Sequence, residues 1–164
     1  MDKLNGVLEL GANIGLNIMS LKTLFPFADL AAVEINEKAA GEFKRNVSGV
    51  DLHLSSILEF QPDKTWDLVF TKTVLIYIDP EKLTQAYDVM HRSSSRYLLV
   101  AEYYDPNPTE IPYRGHSGKL FQRDFAGEIL DRFSDLRLLD YGFAYHRDAN
   151  FSQDDLTWFL LEKK

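Results

Sequence analysis

Residues Val7 to Gly15 read VLELGANIG, and nineteen residues further on Glu34 closes a second apolar run in AAVEIN. The first hydrophobic run ends in a glycine-rich turn that opens a helical pattern, and the second ends in an acid. This order builds a pocket for the adenosine part of a cofactor. Glycines let the backbone come close to a ligand, and an acid after the second strand can accept hydrogen bonds from both ribose hydroxyls. The turn reads Gly11-Ala12-Asn13-Ile14-Gly15. A nicotinamide fingerprint spaces its glycines differently, as G-x-G-x-x-G. Here the spacing is that of a G-x-G-x-G loop with Asn13 in the middle, and asparagine is among the few residues that accept a left-handed backbone.

Working outward, the pattern alternates short strand-like runs with helical periods, the mark of an α/β fold with a parallel sheet. Strands are expected at Gly6–Leu10, Leu30–Ile35, Val50–Leu54, Trp66–Thr71 and Arg96–Glu102. Between them, Ile14, Ile18, Leu21 and Phe25 mark one helical face, and Ala40, Phe43 and Val47 a second. Leu83, Tyr87 and Met90 form a third, after Asp79-Pro80, a helix start with proline in the first turn. Phe121, Phe125, Ile129 and Phe133 predict a last helix. Two strand-like runs, Leu136–Tyr145 and Leu156–Leu161, then follow with no helix between them and imply an antiparallel hairpin at the sheet edge. The expected architecture is a Rossmann-like methyltransferase fold, a mostly parallel seven-stranded sheet with helices on both faces and an antiparallel terminal hairpin.

Composition narrows the function classes. The 164 residues suffice for one domain with its own core, 1–164, and 45% hydrophobic with 26% charged residues is an ordinary globular balance. There is no cysteine, hence no disulfide framework and no thiolate metal site or nucleophile. No apolar run has the length of a membrane span, and no signal peptide opens the chain, so no membrane is expected and a cytoplasmic location fits. The formal net charge of −7 opposes a phosphate backbone, so no nucleic-acid partner is expected. The densest basic region, Arg114 to Arg123, suits a small anionic substrate. His53, His91, His116 and His146 have no ligand spacing, and no metal is expected.

Several stretches carry a narrower likeness. Val7 to Asn46 resembles the first two motifs of class I S-adenosylmethionine-dependent methyltransferases. VLELGANIGLN, AAVEINEKAA, WDLVFTKTVLIYI, AEYYDPNP, YRGHSGKLFQRDFAGE and DDLTWFLLEK together resemble the pseudaminic acid biosynthesis-associated methylase family over nearly the whole chain. The resemblance implies an S-adenosylmethionine cofactor and methyl transfer to a small-molecule acceptor, a nonulosonic acid or another surface sugar. It implies that Glu9, a carboxylate inside an apolar strand, lies beneath the methionine end of the cofactor. Relatives also carry a lid segment before the first motif. Six residues precede Val7 here, so the lid is expected to be missing, supplied by a partner subunit or replaced by the loop from Tyr103 to Lys119.

The expected cofactor-binding set is Glu9, Gly11, Ala12, Asn13, Gly15, Glu34, Ile35, Ser56, Ile57, Lys72 and Tyr77. Ser56 and Ile57 fall where adenine is cradled, although Ser56 reads equally as a cap on a short turn. Lys72, in Thr71-Lys72-Thr73, ends a strand at the carboxyl edge where open α/β sheets bind ligands. It contacts cofactor, orients a substrate anion or is solvated. Tyr77 either faces the sulfonium or packs in the core. No Asp/Asn-Pro-Pro-Tyr motif stands at that strand end, which argues against nucleobase or glutamine acceptors. His116 is the candidate general base, with Arg114 to hold a carboxylate or phosphate and Tyr103 and Tyr104 preceding them. His146-Arg147-Asp148 in the hairpin turn ranks second. A homodimer, which would close an exposed cleft, is a further expectation. The alternative function is a non-catalytic cofactor-binding module, or a subunit that needs a partner.

Overall fold

Strands apolar on both faces need cover on both sides, and β1 (Gly6–Leu10) has that character apart from Glu9. Val7 packs into one core cluster, and Leu8 and Leu10 into the other. A computed structural model describes residues 4–112, 115, 117–118, 120–150 and 152–164. After β1 come α1 (Leu16–Leu24), β2 (Asp29–Glu34), α2 (Glu37–Asn46), β3 (Asp51–Leu54) and β4 (Trp66–Lys72). Next are α3 (Leu83–Ser93), β5 (Ser94–Glu102), β6 (Thr109–Glu110), β7 (Phe121–Gln122), α4 (Phe125–Arg132), β8 (Leu136–Ala144) and β9 (Leu156–Lys163).

The main sheet has the order β3-β2-β1-β4-β5-β9-β8. The strands from β3 to β5 pair in parallel, and β9 runs antiparallel to both β5 and β8. This is the Rossmann-like methyltransferase fold. The chain winds outward from β1 to β3, then crosses back to β4, so the strand order reverses between β1 and β4. Ligands bind at such a switch point, outside the carboxyl ends of the strands. β6 and β7 form a separate two-stranded ladder. No helix among the described residues is long and apolar enough to cross a membrane.

On one face Leu83, Tyr87 and Met90 of α3 and Phe125 and Ile129 of α4 bury against Leu10, Val33, Val69 and Leu98. On the other, Ile18 of α1 and Phe43 of α2 pack on Val7, Ala32 and Phe70. That second cover is partial. Beyond α1, the strands β4, β5 and β9 present Leu68, Tyr97, Leu99, Trp158 and Leu160 to an open apolar groove of about 740 Å³, edged by Leu21 and Phe25.

Phe25, Val47 and Phe133, expected on helical faces, lie just beyond the ends of α1, α2 and α4 as their C-caps, and two residues move further. Ile14 lies in the turn before α1, because Gly15 takes the N-cap position at φ 88°. Phe121 is not in the last helix but in β7, opposite Glu110. The helix starts later because the Asp124 carboxylate accepts the Gly127 N–H at 2.8 Å and fixes the first turn there. Leu98 is fully buried at the centre of β5. Leu98→Ala is expected to cost about 2–5 kcal/mol in urea unfolding, the range for emptying such a site.

Candidate functional site

The turn after β1 is held by hydrogen bonds before any ligand is considered. Gly11 N–H and Ala12 N–H both donate to the Val33 carbonyl, at 2.8 and 3.0 Å, so β1 stays bonded to β2 through the bend. Gly11, Asn13 and Gly15 have φ of 84°, 49° and 88°. At Gly15 a side chain is excluded twice. The backbone is left-handed, and a Cβ would lie 2.8 Å from Phe43 of α2 and 2.9 Å from Val47 at its C-terminal end. At Gly11 a Cβ would run into Val74, from the turn after β4.

Glu34 ends β2 and joins the two turns. Its Oε2 accepts the Asn13 N–H and its Oε1 the Asn36 N–H, each at 2.7 Å. Each carboxylate oxygen keeps a further lone pair. Asn36 caps α2, its side chain accepting from Lys38 N–H and Ala39 N–H. Around this bridge lies a cleft of about 570 Å³ lined by Gly11, Asn13, Glu34, Ile35, Ser56, Ile57 and Tyr77. Ile35 and Tyr77 expose apolar surface there, at 67% and 50%. Ser56 lines the cleft and also caps its turn, accepting the Leu58 N–H at 3.2 Å. An adjoining cleft of about 260 Å³ is lined by Gly11, Ala12, Asn13, Asn17, Lys72 and Thr73. Lys72 also borders the apolar groove, so the cleft and the groove meet at its side chain.

Glu9 lies buried beneath the turn. Asn17, the second residue of α1, donates from Nδ2 to Glu9 Oε1 at 2.6 Å, whereas Oε2 has no partner among the described residues. Burial is the main force on this carboxyl and pushes it up to about 7, against the Asn17 hydrogen bond and the charge of Lys72. Ionised, it would present an unpaired buried oxygen, a place for a cationic donor.

The sequence-selected acceptor residues are less gathered. His116 and Arg114 lie outside the described residues. Tyr104 sets its ring 5.8 Å from Phe159 of β9. The Tyr103 hydroxyl donates to Asp154 at 2.9 Å, and burial, then Asp154, push it up to about 12. His146 does reach the carboxyl edge through the β8–β9 hairpin, where its Nδ1 lies 2.9 Å from Asp155. His91 stacks on Phe133 and pairs with Asp135. Among the described residues no group of three or more acids and histidines can hold a metal ion.

Residues beyond the selected set also shape the cleft. Asn17 and Asn36 supply hydrogen bonds, and Thr73, a non-glycine residue at φ 54°, bends the chain away from β4. Glu102, fully buried at the end of β5, accepts the N–H groups of Val74 and Leu75 and is likewise pushed up to about 7, mainly by burial. One signal was available for it. Like Glu9 and Glu34, it is an acid at or near the end of an apolar strand.

No family model matches the chain, and no curated protein matches it. The narrower likeness to the pseudaminic acid biosynthesis-associated methylases therefore has no family match behind it. Solved structures do match. The N-methyltransferase NodS from Bradyrhizobium japonicum WM9, in complex with S-adenosylhomocysteine, superimposes with a TM-score of 0.74 at 17% identity, over 98% of this chain and 78% of that one. An O-methyltransferase from a trans-AT PKS multienzyme of Brevibacillus brevis, also with S-adenosylhomocysteine, gives 0.77 at 12%, over 98% and 67%. CalS10, an amino pentose methyltransferase from Micromonospora echinaspora bound to S-adenosylmethionine, gives 0.73 at 11%, over 98% and 84%. The fold is thus that of the class I S-adenosylmethionine-dependent methyltransferases.

Stability should fall as pH rises. Glu9 and Glu102 have folded pKa values raised from 4.5 to about 7, so the native state binds more protons than the unfolded chain between these limits. The contribution is full below about pH 4.5 and lost on rising through about 7. Urea midpoints of the unliganded protein should be higher at pH 5.5 than at pH 8, and Glu9→Gln should flatten part of that slope.

Proposed function

We propose that this protein is an S-adenosylmethionine-dependent methyltransferase acting on a small polar acceptor. The observation that carries the reading is the buried Glu9 Oε2 beneath the left-handed turn, which has no partner among the described residues. A cofactor with an α-ammonium group satisfies that oxygen. A nicotinamide dinucleotide would bring an anionic pyrophosphate towards the same carboxylate. Glu34 would accept the ribose hydroxyls on its free lone pairs, while Ile35, Ile57 and Tyr77 would flank the adenosine, with Ser56 as a polar contact. Gly11, Ala12, Asn13 and Gly15 let the backbone approach, and Lys72 stands between cofactor and acceptor. The similar folds solved with S-adenosylmethionine or S-adenosylhomocysteine support this assignment.

S-adenosylmethionine supplies the electrophilic methyl group on its sulfonium. The chain has to align donor and acceptor. In this reading His116 removes the acceptor proton, Arg114 with Lys72 holds an acceptor carboxylate, and Tyr104 closes that side. A nonulosonic acid or related sugar offers such a carboxylate and is our first choice of acceptor. The methylated atom is an oxygen or a nitrogen. The reading includes a cytoplasmic location and a homodimer. A second reading, a cofactor-binding subunit that acts only with a partner, is favoured by the apolar groove left uncovered beside Lys72.

Isothermal calorimetry tests the proposal. S-adenosylhomocysteine is expected to bind in the micromolar range and NAD not at all, and absence of S-adenosylhomocysteine binding rejects it. Glu34→Ala removes charge-assisted hydrogen bonds and should weaken binding by roughly tenfold or more. His116→Ala should leave cofactor affinity nearly unchanged.

A further inference from the structure

The turn after β4 is bent by Thr73 and leads into a short 3-10 segment, Leu75–Tyr77. Its backbone donors are met from the neighbouring strand. Thr73 N–H donates to the Ala101 carbonyl at 2.9 Å, and Val74 and Leu75 N–H both donate to Glu102 Oε1, at 3.0 and 3.1 Å. The turn so held does two things at the cleft. Val74 presses on Gly11, and Tyr77 lines the cleft that also contains Glu34. Glu102 is 2% exposed. Its Oε2 has no hydrogen-bond partner among the described residues, and Thr71, buried in β4, faces the carboxyl. An apolar residue here would leave the buried Leu75 N–H and the half-buried Val74 N–H without acceptors, the costly half of a broken hydrogen bond.

We propose that Glu102 is a positioning residue for the cofactor, fastening the Thr73–Tyr77 turn so that Val74 stays seated on Gly11 and Tyr77 stays at the cleft. It acts through the turn, from behind it. The role rests on the S-adenosylmethionine reading given above.

Glu102→Leu keeps the bulk and removes the acceptor. Glu102→Gln keeps an acceptor oxygen and, through its amide, gains a donor towards Thr71. In unliganded protein, amide hydrogen exchange across residues 73–78 should quicken at least tenfold in Glu102→Leu, while Val69 and Leu98 in the core keep their protection. S-adenosylhomocysteine affinity should fall about tenfold, and Glu102→Gln should restore both readouts to within threefold of wild type. Glu102→Asp, which draws the carboxylate back by one methylene, should quicken exchange and weaken binding at least threefold, and it decides the matter if the leucine variant does not fold. Exchange and affinity both within twofold of wild type in the leucine variant, or in the aspartate variant where it stands in, overturn the role. So does a glutamine variant as impaired as the leucine one. Wild-type protein that binds no S-adenosylhomocysteine overturns the cofactor reading and this role together, whereas binding unaffected by the substitutions overturns this role alone.

Discussion

The carboxylate of Glu34 is the joint on which the cleft depends. With one oxygen it takes the Asn13 N–H from the turn after β1, and with the other the Asn36 N–H at the start of α2. Two loops that leave adjacent parallel strands are thereby fixed relative to one another by a single side chain. Backbone donors at strand ends have no ladder partner, and burying them unpaired is costly. Glu34 meets that demand at both loops. Once it does, the left-handed path of Gly11 to Gly15 is determined, and α1 can begin against Phe43 and Val47 with no room for a side chain at Gly15.

The same solution recurs along the carboxyl edge of the sheet. Glu9, Glu34 and Glu102 stand at or near the ends of β1, β2 and β5, all nearly inaccessible to solvent. They differ in how far their oxygens are engaged. Both oxygens of Glu34 accept backbone N–H groups. One oxygen of Glu102 accepts two such groups, and one oxygen of Glu9 accepts a side-chain amide. Burial accordingly lifts Glu9 and Glu102 to about 7. The least satisfied of the three, Glu9, is also the one beneath the turn that follows β1. Incomplete satisfaction at a buried carboxylate is unfavourable in the empty protein and would turn favourable on pairing with a cationic group, which on the proposed reading is the ammonium of the cofactor.

Much of this was legible in the sequence because it follows from local patterns. The period of apolar residues located the strands and helices of the main sheet, and Asn13 was identifiable from residue type as a position able to take a left-handed backbone between Gly11 and Gly15. Phe121 misled because its spacing to Phe125 is helical, whereas Asp124 between them starts the helix afresh. The hydrogen bonds of Asn17 and Glu102 were hidden for another reason. Asn17 reaches back to Glu9 over the turn between them, and Glu102 reaches the Val74–Leu75 backbone from the neighbouring strand, at separations that no local period reports.

The difference in legibility between cofactor and acceptor residues has a structural origin. Gly11, Glu34 and Lys72 sit at or next to strand ends, where parallel register fixes each residue to within a neighbouring pair, as Glu9 beside Ala32 and Phe70. Tyr104 lies in the long connection that leaves β5, whose path is set by side-chain contacts, among them the Tyr103–Asp154 hydrogen bond and the Tyr104–Phe159 ring contact. Such contacts can change without disturbing the sheet. On the proposed reading, a fold built this way would hold the cofactor at strand ends and leave the acceptor to a loop. The structures it resembles fit that division, since their named activities include both N- and O-methyl transfer.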